Sequence, residues 1–210
     1  MRPKRLDFLR RGIGAAALVS LAMAAGCTQP APVKGTYVLE PPTPPLVAKP
    51  QPGALRIGTA TVGAPFRGRG FVFRESDLKY ETDYYHEFLV LPAANIGEST
   101  ARALAAAKVF ASVAPAGVSP DSDWVLDLFV DALYGDARTP DKPAAVLNIT
   151  YFLRRANLDA GVPIWSRTYE RRVPFTAGST GAYTSALNAA FGDILAELSR
   201  DLAVAQLGKL

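Results

Sequence analysis

Trp124-Val-Leu-Asp-Leu-Phe-Val-Asp-Ala-Leu-Tyr134 is the stretch that decides the fold. In an extended chain successive side chains point to opposite sides. Trp124, Leu126, Leu128, Val130 and Ala132 then share one face, and Asp127 and Asp131 share the other. One face is apolar and the other at least partly wet, the pattern of an antiparallel sheet covered on one side. Working outward, Ala145–Arg155 alternates in the same way through Leu147, Ile149, Tyr151 and Leu153. Val162–Phe175 carries Trp165, Tyr169 and Val173 on one side. Asn157-Leu-Asp-Ala-Gly161 reads as a hairpin turn between these two, so the three strands pair antiparallel.

Upstream, Ala54–Val62 reads as a strand with Leu55, Ile57, Thr59 and Thr61 on one face. A glycine-rich turn follows, Gly63-Ala-Pro-Phe-Arg-Gly68-Arg-Gly70. Phe71–Arg74 and Leu78–Glu81 form a hairpin across Glu75-Ser-Asp77, and Tyr84–Val90 is a further short extended segment. Pro92 suits a helix start, and the alanine-rich run Ala93–Phe110 continues it with an apolar stripe of Ile96, Thr100, Ala103, Leu104 and Ala107. A second, longer helix spans about Thr180–Gln206, where Tyr183, Leu187, Ala190, Phe191, Ile194, Leu198 and Leu202 recur at helical spacing. Two stripes and one half-wet sheet give an α+β architecture: a mainly antiparallel sheet with two helices packed on one face.

The first residues fall into the zones of an export signal. Arg2, Lys4, Arg5, Arg10 and Arg11 form a basic end, and Gly12–Met23 an apolar stretch shorter than the roughly 20 residues a bilayer span needs. Leu21-Ala-Met-Ala-Ala-Gly26-Cys27 follows and reads as a lipobox cut between Gly26 and Cys27, with the Cys27 sulfur taking the lipid. Arg10-Arg11 also fits twin-arginine export loosely. Two or three acyl chains on Cys27, each buried methylene contributing about 0.8 kcal/mol, anchor a protein firmly. Cys27 is the only cysteine, so acylation leaves no disulfide and no cysteine metal site. Thr28, rather than Asp, follows it, which by the enterobacterial sorting rule favours the outer membrane.

Cleavage removes five of the 23 Lys and Arg and one of the 19 Asp and Glu, leaving 18 of each. A neutral mature chain gives no electrostatic reason to bind nucleic acid. Residues 27–53 are the acylated cysteine and a leader with eight prolines between Thr28 and Gly53, expected to hold the domain, 54–210, off the membrane as an extended tether. Thr36-Tyr-Val-Leu39 interrupts the prolines with strand formers, so an edge strand is the alternative.

Motifs for catalysis are nearly absent. The Gly63–Gly70 loop lacks the Lys-Ser/Thr pair of a phosphate loop and precedes a strand. Gly178-Ser-Thr-Gly181 reads as a turn and helix cap, not a nucleophile elbow. His86, the single histidine, has no second imidazole for a zinc site and no serine in a nucleophile motif. The expectation is a non-enzyme with no metal and no cofactor beyond the covalent lipid on Cys27. Exposed aromatic and arginine side chains are enriched in interface cores, so Arg69, Phe71, Phe73, Arg74, His86 and Phe88 are the candidate partner contacts.

The order of motifs along the mature chain resembles the ABC-type transport auxiliary lipoprotein family, which includes the C component of the paraquat-inducible (Pqi) intermembrane transport system. The residues that carry this resemblance are the lipobox, Tyr37-x-Leu39, Leu55–Val62, Pro65-Phe66, Phe71–Arg74, Tyr84–Phe88 leading to Pro92, Trp124–Leu128, Ala144–Leu147 and Ala186-Leu-Asn188. Two positions depart from it, Phe73 where the family usually has Tyr and Phe88 where it usually has Trp. The resemblance implies a role in moving lipid or other hydrophobic cargo across the periplasm, beside an inner-membrane permease and a mammalian-cell-entry (MCE) domain protein, and a homo-oligomer. Two other classes stay open on the residues alone. One is a stand-alone lipoprotein that binds lipid or a small molecule, and the other a structural envelope lipoprotein.

Overall fold

The computed structural model describes residues 33–115, 117–118, 121–157 and 162–207. The expected signal peptide, its cleavage point at Gly26 and the acylated Cys27 lie outside the described residues, as does most of the turn 157–161.

The sheet is built around β6, Trp124–Asp136, which runs antiparallel to β7, Ala144–Arg155, and β7 antiparallel to β8, Trp165–Pro174. The other edge of β6 is shared. β2, Gln51–Val62, lies parallel along Trp124–Val130, and β3, Gly70–Arg74, lies parallel beside Gly135 and Asp136. β4, Tyr80–Phe88, forms an antiparallel hairpin with β3, and β1, Gly35–Tyr37, pairs parallel with β4. β5, Phe110–Val113, closes the edge of β2 in parallel. The architecture is α+β, as expected. Its longest ladders are the antiparallel β6–β7–β8, while the pairings that join distant segments are parallel.

Helix α1, Pro92–Ala106, packs on β2 and β5, and α2, Thr180–Val204, on β7 and β8. Both cover one face, and they meet over Tyr151, whose hydroxyl lies 3.2 Å from Thr100 Oγ1 in the core. The α2 stripe read from spacing is buried throughout. Helix α1 stops at Ala106, short of the expected Phe110. Lys108 takes a left-handed turn (φ 54°), and the chain leaves as β5, a strand the reading missed.

Two bulges change which residues face the helices. Between Ile57 and Ala60 the β2 register shifts, so Ala60 and Val62, not Thr59 and Thr61, continue the core face. Between Val130 and Ala132 the β6 register shifts, so Leu133 takes the inward place expected of Ala132. Gly58 and Asp127 explain the first bulge. Asp127 Oδ1 accepts the Thr59 amide at 2.7 Å, and Asp127 Oδ2 is held by Arg154 Nε at 2.8 Å, leaving no room for a side chain on residue 58.

The leader is not free from residue 34 onward. Its strand formers make β1, and Leu39 is buried with its amide donating to Asn95 Oδ1 at 3.0 Å. The Glu40 amide donates to Asn188 Oδ1 at 2.7 Å, and Pro42 lies against Gly192 of α2. Gln51 Nε2 lies within 3.0 Å of the Leu202, Ala203 and Ala205 carbonyls, where a helix end leaves acceptors unpaired. The compact unit among the described residues begins at Lys34. Prolines cannot donate to a ladder, yet in this extended strap Leu39 and Pro44 are buried.

Candidate functional site

The aromatic hairpin lies at the end of the sheet where β1, β4 and β3 meet the start of α2. Alternation along β3 sends Phe71 inward, where it is fully buried against Phe88 at 4.6 Å, Tyr183 at 5.2 Å and Tyr37 at 5.4 Å between ring centres. Phe88 is buried too, so neither Phe71 nor Phe88 can belong to a contact surface; burial of two large rings outweighs any exposed role. Phe73 is half-buried, 5.0 Å from Tyr183, and fills the space over Gly135. Arg74 is turned back on its own hairpin, donating to the Ser76 and Asp77 carbonyls and lying over the Tyr80 ring. His86 is half-buried, its Nδ1 2.7 Å from Asp83 Oδ2.

Of the six candidates, Arg69 alone is substantially exposed, and it sits in a small charged group. Its guanidinium lies 3.2 Å from Glu87 Oε1, whose other oxygen is 3.9 Å from Lys34 Nζ. Lys34 also lies over the ring of Tyr84, 5.0 Å from its centre. Exposed pairs of this kind contribute about 1 kcal/mol or less each, so they shape a surface more than they hold the fold.

The exposed apolar residues beside this group were missed. Tyr84 is 74% exposed, Tyr85 is open as well, and Leu89, Val90 and Leu91 are 53%, 42% and 55% exposed just before α1 begins. A signal was present. Three consecutive apolar residues cannot all turn to one side of an extended chain, so at least one must face out.

At the far side of the hairpin, Asp136 is buried on the outer face of β6. It accepts from Arg138 Nε at 3.0 Å and Nη2 at 2.8 Å, and from Arg172 Nη1 at 2.6 Å. Those hydrogen bonds, Arg138 first, hold its carboxyl well below the usual carboxylate range although burial pushes the other way. Arg138 Nη1 also donates to Asp77 Oδ1 at 2.9 Å, tying the hairpin loop to β6 and β8. Burial pushes the Tyr151, Tyr169 and Tyr183 hydroxyls far up, so all three stay neutral.

No family model matches the chain, and no curated protein matches it by sequence. Solved structures do. A crystal structure of a Xanthomonas campestris protein of the DUF330 family aligns with TM-score 0.69 and 19% identity, over 80% of this chain and 95% of that one. A second, of an uncharacterized protein, aligns with TM-score 0.64 and 15% identity, over 81% and 99%. At such identities the likeness establishes a shared fold. A Caulobacter crescentus protein described as a lipoprotein overlaps 44% of this chain and 73% of its own, at 18% identity and TM-score 0.36, too little to carry an argument.

Proposed function

We propose that this chain is a non-catalytic, lipid-anchored subunit of an intermembrane transport system for lipid or another hydrophobic cargo. It sits at the periplasmic face of the outer membrane and docks an MCE-domain partner that works with an inner-membrane permease. The carrying observation is the exposed strip of Tyr84, Tyr85, Leu89, Val90 and Leu91, rimmed by Arg69, Glu87 and Lys34. Exposed apolar side chains beside charged ones are the anatomy of a protein interface, and their gathering on one chain segment, 84–91, favours an interaction site there. The lipobox read at Cys27 supports the anchor, with acyl chains such as palmitate as the only attached group. Six residues separate Cys27 from Lys34, seven steps along the chain with a reach of about 25 Å at most, so the domain works close to its membrane. The same strip serves self-association if the subunit forms a homo-oligomer.

The test isolates the acylated protein from its native envelope in mild detergent and identifies what comes with it. An MCE-domain protein should be recovered with the wild type and lost with the paired substitution Tyr84→Ala and Leu91→Ser, both at exposed positions that leave the core intact. Recovery of the protein alone, or of the partner with the variant as well, would overturn the adaptor role or its surface respectively.

A further inference from the structure

A hairpin loop lies in water and usually ends in polar residues. The loop between β3 and β4, Glu75-Ser-Asp-Leu-Lys79, instead holds Leu78 at 95% exposure, the highest of any large apolar side chain among the described residues. At the foot of the loop Tyr80 is 42% exposed, with the Arg74 guanidinium 5.6 Å from its ring centre. One exposed leucine is ordinary by itself. Three further observations give this one a meaning.

The first is that the loop is braced. The Glu75 amide donates to the Lys79 carbonyl at 2.9 Å, and the Lys79 amide to Ser76 Oγ at 3.2 Å. Arg74 donates to the Ser76 and Asp77 carbonyls, and Arg138 joins Asp77 to the buried Asp136. A slack loop could fold its leucine back on the domain; this one holds it in the open. The second is that the charges at the tip cancel. Glu75, Asp77 and Glu81 are matched three against three by Arg74, Lys79 and Arg138. Lys79 Nζ lies 2.6 Å from both Glu75 and Glu81, and Arg138 Nη1 lies 2.9 Å from Asp77.

The third is where the loop lies. Pairing sets Thr36 of β1, Glu87 of β4 and Gly70 of β3 level across the sheet. Arg74 is four residues along β3 from that level, about 13 Å, and the loop lies beyond it. Because β1 runs parallel to β4, going back along it from Tyr37 to Gly35 leads toward the loop. Lys34 thus enters the sheet from the loop end, and the six residues between it and Cys27 reach about 25 Å at most. That length suffices to bring the loop to the membrane in which the Cys27 acyl chains sit.

We propose that the β3–β4 loop rests in the head-group layer of the zwitterionic phospholipid bilayer that holds Cys27, with Leu78 dipping to the top of the acyl chains. Leu78 supplies the apolar contact. Tyr80 and Arg74 suit the layer above it, where amphipathic rings and long cationic side chains settle. A neutral tip needs no anionic lipid, and a braced loop has little freedom left to lose on insertion. The acyl chains supply the affinity, and this second contact fixes which end of the domain faces the membrane. The proposal rests on the anchor read at Cys27 and not on the MCE-domain partner, so it and the docking surface fail in separate experiments.

The test uses the acylated protein. Cys27 is the only cysteine, so once its sulfur is acylated a cysteine placed elsewhere is the one free thiol. Leu78→Cys and Val204→Cys, both at exposed positions, are each labelled with the environment-sensitive fluorophore NBD. Val204 ends α2, a helix about 37 Å long whose Tyr183, in the first turn, lies 5.0 Å from Phe73, so it stands far from the loop. The labelled proteins are reconstituted into vesicles of phosphatidylcholine and phosphatidylethanolamine in which part of the phosphatidylcholine carries a nitroxide near the top of an acyl chain. The probe at 78 should shift to the blue and be quenched several-fold more than the probe at 204. Equal quenching at the two positions, or none at 78, would overturn the proposal. A blue shift at 78 without quenching would overturn it as well, by assigning the tip to a protein or to a second copy of this chain. Failure of the protein to float with the vesicles would sink the anchor and this contact together, whatever the MCE-domain partner does.

Discussion

Asp136 is buried to 1% exposure while the two guanidinium groups it binds stay partly in solvent. The carboxylate thus bears the desolvation, and its stability comes from three charge-assisted hydrogen bonds rather than from a long-range field. Its folded pKa lies below the value of about 3.9 in an unfolded chain. The stabilisation is therefore fully present above about pH 5 and is lost as pH falls through the unfolded value toward the folded one. Asp136→Asn should cost about 1–3 kcal/mol at neutral pH, since the arginines can return to water but the buried amide cannot replace all three bonds. Urea denaturation across the acid range should show the wild type losing stability below about pH 4 more steeply than the variant.

Among the elements, β2 and β6 depend on each other through their bulges. Gly58 sits where a methyl group would meet Val125 Cγ1 at 2.6 Å and press on Asp127, which Thr59 and Arg154 hold in place. Gly58→Ala should destabilise by about 1–3 kcal/mol, the usual cost of overpacking. Amide hydrogen exchange should show the loss of protection concentrated at Ile57–Ala60 and Leu126–Leu128, because the strain sits in that ladder. An equal loss along β7 and β8 would mean that the bulge is not where the substitution acts.

At the scale of the whole molecule, the proline-rich strap is part of the folded unit from Lys34 onward. A tether that merely spaced the domain would be indifferent to substitution. A docked strap is not, because Leu39 is buried in the core and its amide is spoken for by Asn95 of α1. Leu39→Ala should lower stability by about 2–4 kcal/mol, the cost of emptying a core leucine site, read from the urea midpoint. No change would return the segment to the status of a free spacer.

Much of this protein was legible in its sequence because the signals are local. The period of two in Trp124–Tyr134 and Ala145–Arg155, and the helical stripe of Tyr183–Leu202, each rest on side chains that neighbours along the chain place on one face. These determined the α+β class, the antiparallel β6–β7–β8 unit and the buried face of α2. The candidate contact site was less legible. Phe71 and Phe73 alternate visibly, but only the position of Tyr183, over a hundred residues away, decides that Phe71 is core and that Phe73 is half-buried beside it. The same holds for Thr59 and Ala132, displaced by bulges that exist only where two strands are matched. The tertiary structure also decided that the leader docks, since its prolines allow either an extended spacer or an extended strap. Burial of Leu39 under partners from distant elements selects the strap, and that burial energy appears in no local pattern.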